Sequence, residues 1–159
     1  QGQKVIHQEA WAKTDLMATT GKVINLIDRF KLSPQNVNLD AIGVGAGVYD
    51  RLREQKIYVT AIIAGGEPKD KEHFINSRAE MYSDLQKRFE EGAISIPDDM
   101  DLTAQLSGIR YKIASDKKLQ IISKEDMKKV YRLKSPDKSD SLALAFYEPK
   151  IRNPEIRWL

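Results

Sequence analysis

The sequence contains no cysteine and only two histidines, His7 and His73, among its 159 residues. The absence of cysteine excludes disulfides, thiolate zinc sites and cysteine nucleophiles, and it fits a reducing intracellular setting. Two histidines are too few for a multi-histidine metal centre. Any metal ion would therefore be held mainly by Asp and Glu oxygens, which favours Mg²⁺ or Mn²⁺ as the cofactor.

Long apolar runs are also lacking. No stretch approaches the roughly 20 apolar residues of a membrane-spanning helix, and the N-terminus QGQKVIHQEA lacks the order of a signal peptide. We therefore expect no membrane partner. Apolar residues make up 41% and charged residues 31% of the chain, which excludes an intrinsically disordered protein. The length fits one domain, placed at residues 1–147, followed by a tail at 148–159 that Trp158 could dock.

The net charge is only +3, but positive charge is concentrated between Arg110 and Lys138. This segment contains ten Lys and Arg residues against four acidic residues. Such a surplus suits a polyanionic partner, although a solvated charged face explains it equally well.

The order of predicted elements indicates an α/β fold. Runs at 4–12, 37–44 and 57–63 are typical of strands, and the segments between them have helical spacing, with Thr14 and Asp15 as N-cap candidates. Strands that alternate with helices imply parallel pairing and a central sheet with helices on both faces.

Further elements are predicted downstream. They are a long helix ending at Gly92, a short strand at 94–97, a helix capped by Asp98 or Asp99 that reaches Gly108, a β-hairpin around residues 115–117, a basic helix at 124–134 and a final helix at 137–147 that Pro136 introduces. We expect a central mixed sheet.

Asp40 is the one charged residue of an apolar strand, and it stands just before a glycine-rich turn. An unpaired buried carboxylate is costly, so an acid there needs a cation, a cluster of donors or the exposed carboxyl end of a sheet. Simple hydrogen bonding to nearby backbone N–H groups explains the position equally well.

Asp137 and Asp140 lie three residues apart at the start of the final predicted helix. This spacing puts both carboxylates on one helix face, where their repulsion would be relieved by a divalent cation. Acids in a first turn are also favoured by the helix dipole alone. Combined with Asp40, however, they predict a carboxylate metal site suited to phosphodiester hydrolysis, in which two ions about 3.5–4 Å apart act together.

The glycines at 43, 45 and 47 are a competing signal, since glycines between a strand and a helix can seat a nucleotide phosphate. Their spacing does not match G-x-G-x-x-G, and no Walker lysine follows, so neither a dinucleotide site nor an ATPase is indicated. We expect these glycines to let a helix pack close to the strand.

Three blocks of the sequence resemble the C-terminal nuclease domain of the large terminase subunit of tailed bacteriophages. The blocks are LDAIGVGAGVYDRLRE, FINSRAEMYSDLQKRFEEGAISIP and SPDKSDSLALAFY, which occur in family order between about residues 37 and 147. The resemblance implies a ribonuclease H-like fold and a metal-dependent endonuclease that cuts concatemeric double-stranded DNA. It also implies work in the cytoplasm of the infected host, with the terminase ATPase domain, the small terminase subunit and the portal as partners.

By position in these blocks, the resemblance implies that Asp40 and Asp140 are catalytic metal ligands and that Asp137 is a neighbouring ligand or helper. Arg78 either contacts a DNA phosphate or pairs with Glu80 or Asp84 on its own helix. The other implied contacts to the DNA backbone are Lys134 and four residues of the hairpin, Arg110, Lys112, Lys117 and Lys118.

One departure from the family concerns its first strand, which carries a further catalytic aspartate. Nothing upstream of Asp40 matches that segment, and Glu9 and Asp15 are poor substitutes. We therefore expect one or two N-terminal strands to be missing, the metal site to be incomplete and cutting to be weak or absent. The alternatives are another ribonuclease H-like enzyme, such as a Holliday-junction resolvase, and a non-catalytic module for DNA binding or motor assembly.

Overall fold

The computed structural model describes residues 3–12, 14–132 and 135–149. Within them the helices are Leu16–Phe30 (α1), Val44–Glu54 (α2), Ser77–Glu90 (α3), Met100–Gly108 (α4), Lys124–Lys129 (α5) and Asp137–Ala145 (α6), with a 3-10 helix at Pro34–Asn36. The strands are Asn38–Asp40 (β1), Thr60–Ile62 (β2), Tyr111–Ile113 (β3) and Leu119–Ile121 (β4). The predicted α/β character is therefore confirmed.

The parallel pair β1–β2 lies between two hydrophobic clusters. Its register places Leu39 opposite Ala61 and Asp40 opposite Ile62, and opposite residues in a sheet project to the same side. Leu39 packs against the cluster that contains Val48 of α2, whereas Ile62 belongs to the cluster built by α3, α4 and α6. The prediction of helices on both faces is confirmed for this pair.

A continuous central sheet is not formed within the described residues, because β1–β2 and the antiparallel β3–β4 are separate two-stranded sheets. The predicted strands at 4–12 and 94–97 are also wrong. They share one isolated parallel bridge, Lys4 to Ser95. An extended segment becomes a strand only where a neighbour completes its ladder of hydrogen bonds, and residue patterns do not reveal that neighbour.

The predicted helices are confirmed, and their starts follow the expected capping chemistry. The side chains of Asp15, Asn76 and Asp99 each accept a backbone N–H in the first turn of α1, α3 and α4. The basic helix is shorter than predicted and ends at Lys129. The final helix ends at Ala145 rather than at residue 147.

The predicted hairpin β3–β4 is confirmed. Its inner strand is covered, because Leu119 donates its N–H to the His73 carbonyl at 2.8 Å and forms a bridge with Phe74. Its outer strand, β3, is exposed at Tyr111, Lys112 and Ile113. The hairpin therefore presents one uncovered strand to solvent.

The larger cluster brings together Leu85 of α3, Leu102 of α4 and Leu142 of α6, each 4% exposed or less. Over the ranges that the structure covers, no helix has the combined length and apolar character needed to span a bilayer. The division into a domain at 1–147 and a tail stays a prediction, and both Trp158 and Lys134 lie outside the described residues.

Candidate metal centre

Asp140, in the first turn of α6, is the centre of a hydrogen-bonded network. Its Oδ1 accepts from Arg78 Nε at 3.2 Å, Arg78 Nη2 at 3.0 Å and the Tyr82 hydroxyl at 2.7 Å. Its Oδ2 lies 2.7 Å from Lys124 Nζ. One carboxylate oxygen is therefore occupied by three donors of α3, whereas the other is contacted by Lys124 alone among the described residues.

Arg78 and Tyr82 reach Asp140 because they lie four residues apart on α3 and share a helix face. The side chain of Arg78 is only 15% exposed, and its Nη1 donates to the Ile122 carbonyl at 3.2 Å. Burial, followed by the charge of Asp140, raises the pKa of Tyr82, which keeps the hydroxyl protonated as a donor.

The predicted alternative partners of Arg78 are engaged elsewhere, so that pairing is wrong. Glu80, which is 3% exposed, accepts the N–H groups of Lys69 at 2.8 Å and Asp70 at 3.0 Å and the Tyr147 hydroxyl at 2.9 Å. Burial and this bond raise the pKa of Tyr147 to about 12. Arg78 instead holds Asp140, and its contact with a DNA phosphate stays a prediction.

Asp40 ends β1 on the side that faces α6. It is exposed along part of its surface, but protein atoms displace water from its carboxylate, and this lost hydration is the largest cause of a raised pKa for Asp40. The charge of Asp140 raises the pKa of Asp40 further, while the charge of Lys124 and the N–H of Ile42 lower it. Asp40 and Asp140 are thus electrostatically coupled, with Lys124 as their shared countercharge.

The glycine turn brings α2 against the backbone of Asp40. A Cβ at Gly45 would lie 1.8 Å from the Asp40 carbonyl oxygen, so any side chain there would collide with fixed backbone. Gly43, the residue before the helix, has a φ of +60°, which favours glycine. The predicted close packing of helix and strand is confirmed, and it fixes where β1 ends.

Asp137 shares a helix face with Asp140, as predicted, because Lys124 Nζ lies 3.5 Å from Asp137 Oδ1 and 2.7 Å from Asp140 Oδ2. Its side chain is nevertheless 76% exposed and accepts the Ser135 hydroxyl at 2.6 Å. Across the described part of the chain, no three His, Asp or Glu side chains form a group that could hold a metal. The predicted set of three carboxylates is therefore not assembled as one cluster.

Helix α4 holds the first turn of α6 in place. Pro136 provides no side-chain cap, and Gln105 Oε1 accepts the N–H groups of Lys138 at 2.8 Å and Ser139 at 3.2 Å instead. Lys138 Nζ also lies 2.5 Å from Asp99 Oδ2. These contacts between helices orient the turn that carries Asp140.

The Asp99–Lys138 ion pair predicts a pH-dependent stability. The hydrogen bond from Lys138 lowers the pKa of Asp99 below its ordinary value of 3.8, so the ionised form is favoured in the folded state. The ion pair therefore stabilises the folded state fully at pH values above 3.8. This stabilisation is lost as the pH falls through the lowered pKa of Asp99. In Asp99→Asn, which retains an N-cap oxygen, we expect a lower melting temperature than in the unaltered chain at pH 7. This difference in melting temperature should disappear in acid.

Thermal unfolding from pH 2 to pH 8 checks this expectation. Asp101→Asn is the matched control, since Asp101 lies 3.6 Å from Lys138 Nζ and is 77% exposed. A pH-independent loss in Asp99→Asn would assign the effect to the helix cap and would contradict the ion-pair account.

Sequence reasoning missed four members of the network, Tyr82, Lys124, Ser139 and Gln105. A signal existed for Tyr82, because it follows Arg78 by one helical turn in the block SRAEMY. Lys124 is one of ten basic residues between Arg110 and Lys138, and its position in the sequence does not distinguish it from the others. No local pattern reveals Gln105, since its partners are more than 30 residues away in the chain.

Four of the six predicted DNA contacts lie on the hairpin that adjoins this network, whereas Arg78 is on α3 and Lys134 is outside the described residues. Arg110 is at its base, where the Ile122 N–H donates to the Arg110 carbonyl at 2.9 Å, and the Ile122 carbonyl contacts Arg78. Lys112 is exposed on β3, and Lys117 is exposed at the turn. Lys118 is half-buried, and its Nζ lies 3.3 Å from Asp116 Oδ2. The structure therefore connects the basic hairpin to the carboxylates.

The donor set fits a hard divalent cation on chemical grounds. Asp40 and Asp140 supply carboxylate oxygens, which are the ligands that Mg²⁺ and Mn²⁺ prefer. Asp140 Oδ2 faces a positive charge already, that of Lys124, and a divalent ion would replace it.

Comparison with known proteins places this architecture among solved structures. A mutant nuclease domain of the large terminase subunit gp2 of bacterial virus Sf6, with manganese, has a TM-score of 0.81 at 22% identity over 93% of this chain and 80% of that chain. Another structure of the Sf6 gp2 nuclease domain has a TM-score of 0.80 at 22% identity, over 93% of this chain and 79% of that chain. The large terminase nuclease from thermophilic phage G20c with bound cobalt has a TM-score of 0.59 at 17% identity, over 87% of this chain and 65% of that chain.

No family model and no curated protein matches the sequence. At 16–22% identity, the solved structures establish the fold and leave the chemistry to be argued from the residues. The chain therefore has the fold of the nuclease domains of phage large terminase subunits.

Proposed function

We propose that this chain is a metal-dependent endonuclease domain of a phage DNA-packaging terminase, which cuts concatemeric double-stranded DNA. The observation that carries the proposal is the position of Asp140 on α6, with its Oδ2 2.7 Å from Lys124 Nζ, where α6 packs against β1, the parallel strand that ends at Asp40. Mg²⁺ or Mn²⁺ is the proposed cofactor. A ribonuclease H-like topology and action in the cytoplasm of the infected host are part of the same proposal.

A divalent cation at this position would supply electrostatic stabilisation of the negative charge that develops on a phosphodiester during hydrolysis. Asp140 would offer it Oδ2, because Oδ1 is already occupied by Arg78 and Tyr82. Asp40 would offer a second carboxylate, whose pKa is raised by burial and would be lowered again by the charge of a cation beside it. Asp137 would assist indirectly, through its contact with Lys124 at 3.5 Å.

The solved structures of the same fold support a metal-dependent activity. The Sf6 domain has been solved with manganese and with calcium, and the G20c domain with bound cobalt and with bound magnesium. Asp40 and Asp140 provide carboxylate oxygens. Magnesium, calcium and manganese prefer such ligands, and cobalt accepts them. We propose the same class of ion for this chain.

Double-stranded DNA is the proposed substrate, and the basic hairpin is the proposed contact to its backbone. Arg110, Lys112, Lys117 and Lys118 would bind phosphates beside the metal centre, joined by Arg78 and by Lys134, which lies outside the described residues. The terminase ATPase domain, the small terminase subunit and the portal are the proposed partners.

Removal of hairpin charge is expected to weaken DNA binding and reduce its salt dependence. In a Lys112→Gln, Lys117→Gln, Lys118→Gln variant, the slope of log affinity against log salt should fall by about three, roughly 0.9 per lost phosphate contact. Fluorescence anisotropy with a labelled duplex at several salt concentrations measures this slope.

The matched control removes the same charge from another surface, with Gln at Arg51, Arg53 and Lys56 on and after α2. We expect this control to keep most of the slope. Equal losses in the two triple variants would assign the effect to net charge and contradict a hairpin contact.

Nicking of supercoiled plasmid in Mn²⁺ tests the proposed activity. We expect nicking to be weak, because two carboxylates hold fewer ions than a site with a further catalytic aspartate. We expect Asp40→Asn and Asp140→Asn to abolish it. A preference for four-way junctions over linear duplex would instead favour a resolvase.

A second candidate function is a non-catalytic module for DNA binding or motor assembly. It is favoured by the lack of any group of three potential metal ligands in the residues described. DNA affinity that Asp140→Asn leaves unchanged, with no nicking by the unaltered chain, would support this second function.

A further inference from the structure

We propose that Tyr82 is a positioning residue that fixes the carboxylate of Asp140 so that only one of its oxygens is presented to a metal ion. The proposal rests on the metal-dependent function proposed above. It concerns how the protein prepares a ligand, and it gives Tyr82 no contact with metal or DNA.

The hydroxyl of Tyr82 is held from two directions. Tyr82 is 7% exposed, and its hydroxyl lies 2.9 Å from Ser139 Oγ and 2.7 Å from Asp140 Oδ1. Ser139 is 0% exposed, and because the Tyr82 proton goes to Asp140, the Ser139 hydroxyl is the donor in their contact, with the Pro136 carbonyl 3.0 Å away as its alternative acceptor. The Tyr82 oxygen therefore accepts from Ser139 while its O–H donates to Asp140 Oδ1.

Rotation of an aspartate carboxylate about its last bond is otherwise nearly unrestricted, because that torsion has broad minima. Arg78 alone would favour a different arrangement, since guanidinium and carboxylate groups pair most strongly through two parallel bonds to two oxygens. Such a pair would consume both oxygens of Asp140. In the structure, Nε and Nη2 of Arg78 instead converge on Oδ1.

The short bond from Tyr82 explains this convergence, because it holds Oδ1 on the protein side and leaves Oδ2 directed toward Lys124. Without the phenol hydroxyl, Arg78 could engage Oδ2 as well and compete with a cation for it. Tyr82 would thereby keep one oxygen of Asp140 available to a metal ion.

Tyr82→Phe tests this proposal, with Tyr147→Phe as the matched control. Both tyrosines donate their hydroxyl to a carboxylate, but Tyr147 serves Glu80, which is not in the metal centre. We expect the Mn²⁺ dissociation constant, measured by electron paramagnetic resonance on the 159-residue chain, to rise about 10-fold in Tyr82→Phe and less than about 2-fold in Tyr147→Phe. Melting temperatures measured in parallel separate stability from metal affinity.

A second variant distinguishes positioning from general damage. In the Tyr82→Phe background, Arg78→Lys should recover part of the Mn²⁺ affinity, because an ammonium group lacks the planar fork that would occupy both oxygens. If Tyr82→Phe does not fold, Ser139→Ala replaces it, since it frees the phenol from one of its two contacts and should weaken Mn²⁺ binding about 3-fold.

The outcomes separate the two proposals. Mn²⁺ binding by the unaltered chain that Asp140→Asn abolishes, but that Tyr82→Phe leaves unchanged, would overturn the positioning role and keep the metal site. Absence of Mn²⁺ binding by the unaltered chain would overturn both.

Discussion

Asp140→Asn is expected to lower the Mn²⁺ affinity of the chain by more than about 100-fold, beyond the 10–100-fold typical of residues that only orient a ligand. The amide keeps the shape of the side chain but removes the negative charge that faces Lys124 at 2.7 Å. It also leaves the guanidinium of Arg78 without its carboxylate. Because both side chains are partly hydrated, at 15% and 22% exposure, the cost in unfolding free energy should be about 2 kcal/mol.

Isothermal titration with Mn²⁺ and chemical denaturation measure the two effects. Asp137→Asn is the matched control on the same helix, and it should change the Mn²⁺ affinity only a few-fold, because Asp137 is 76% exposed and contacts Lys124 at 3.5 Å. Equal losses in the two variants would show that Asp137 is a principal ligand and would contradict the assignment of Asp140 alone on α6.

Gly45→Ala is expected to reduce the free energy of unfolding by about 2–3 kcal/mol. The added Cβ would meet the Asp40 carbonyl oxygen at 1.8 Å, so α2 or the end of β1 must shift. The gain in helix propensity from Gly to Ala, about 1 kcal/mol, offsets only part of this cost. Since Asp40 carries a proposed ligand, Mn²⁺ affinity should fall as well.

Gly47→Ala is the control for this substitution in the same helix. Its Cβ would meet the Leu16 side chain at 2.9 Å, and the end of a leucine can move where a backbone carbonyl cannot. We expect an unfolding free energy within about 1 kcal/mol of the unaltered chain and unchanged Mn²⁺ affinity. Chemical denaturation that gave the same loss for both variants would contradict the special closeness of α2 to Asp40.

The elements that the sequence predicts well are those determined by local chemistry. Asp15 and Asp99 cap helices because their carboxylates accept N–H groups three residues ahead, within the same short segment. The glycine turn after Asp40 was likewise readable from its composition. Strand pairing was not, because residues 4–12 look extended whether or not a neighbour completes a ladder, and here only Lys4 forms a bridge.

The same distinction between local and long-range contacts applies to the candidate site. Asp40, Asp137 and Asp140 could be named from spacing and resemblance, but their present partners could not. Arg78 has acidic neighbours two and six residues along its own helix and nevertheless pairs with Asp140, 62 residues away. Such contacts depend on how α3 and α6 pack together, which no pattern within either helix contains.

A crystal of the chain soaked in Mn²⁺ and measured for anomalous scattering shows whether Asp40 and Asp140 bind the same cation. We expect one or more anomalous peaks within coordination distance of both Asp40 and Asp140, with the Lys124 side chain displaced from Asp140 Oδ2. Ordered crystals that show Lys124 still in place and no peak beside either carboxylate, at a Mn²⁺ concentration that saturates the protein in solution, would contradict it.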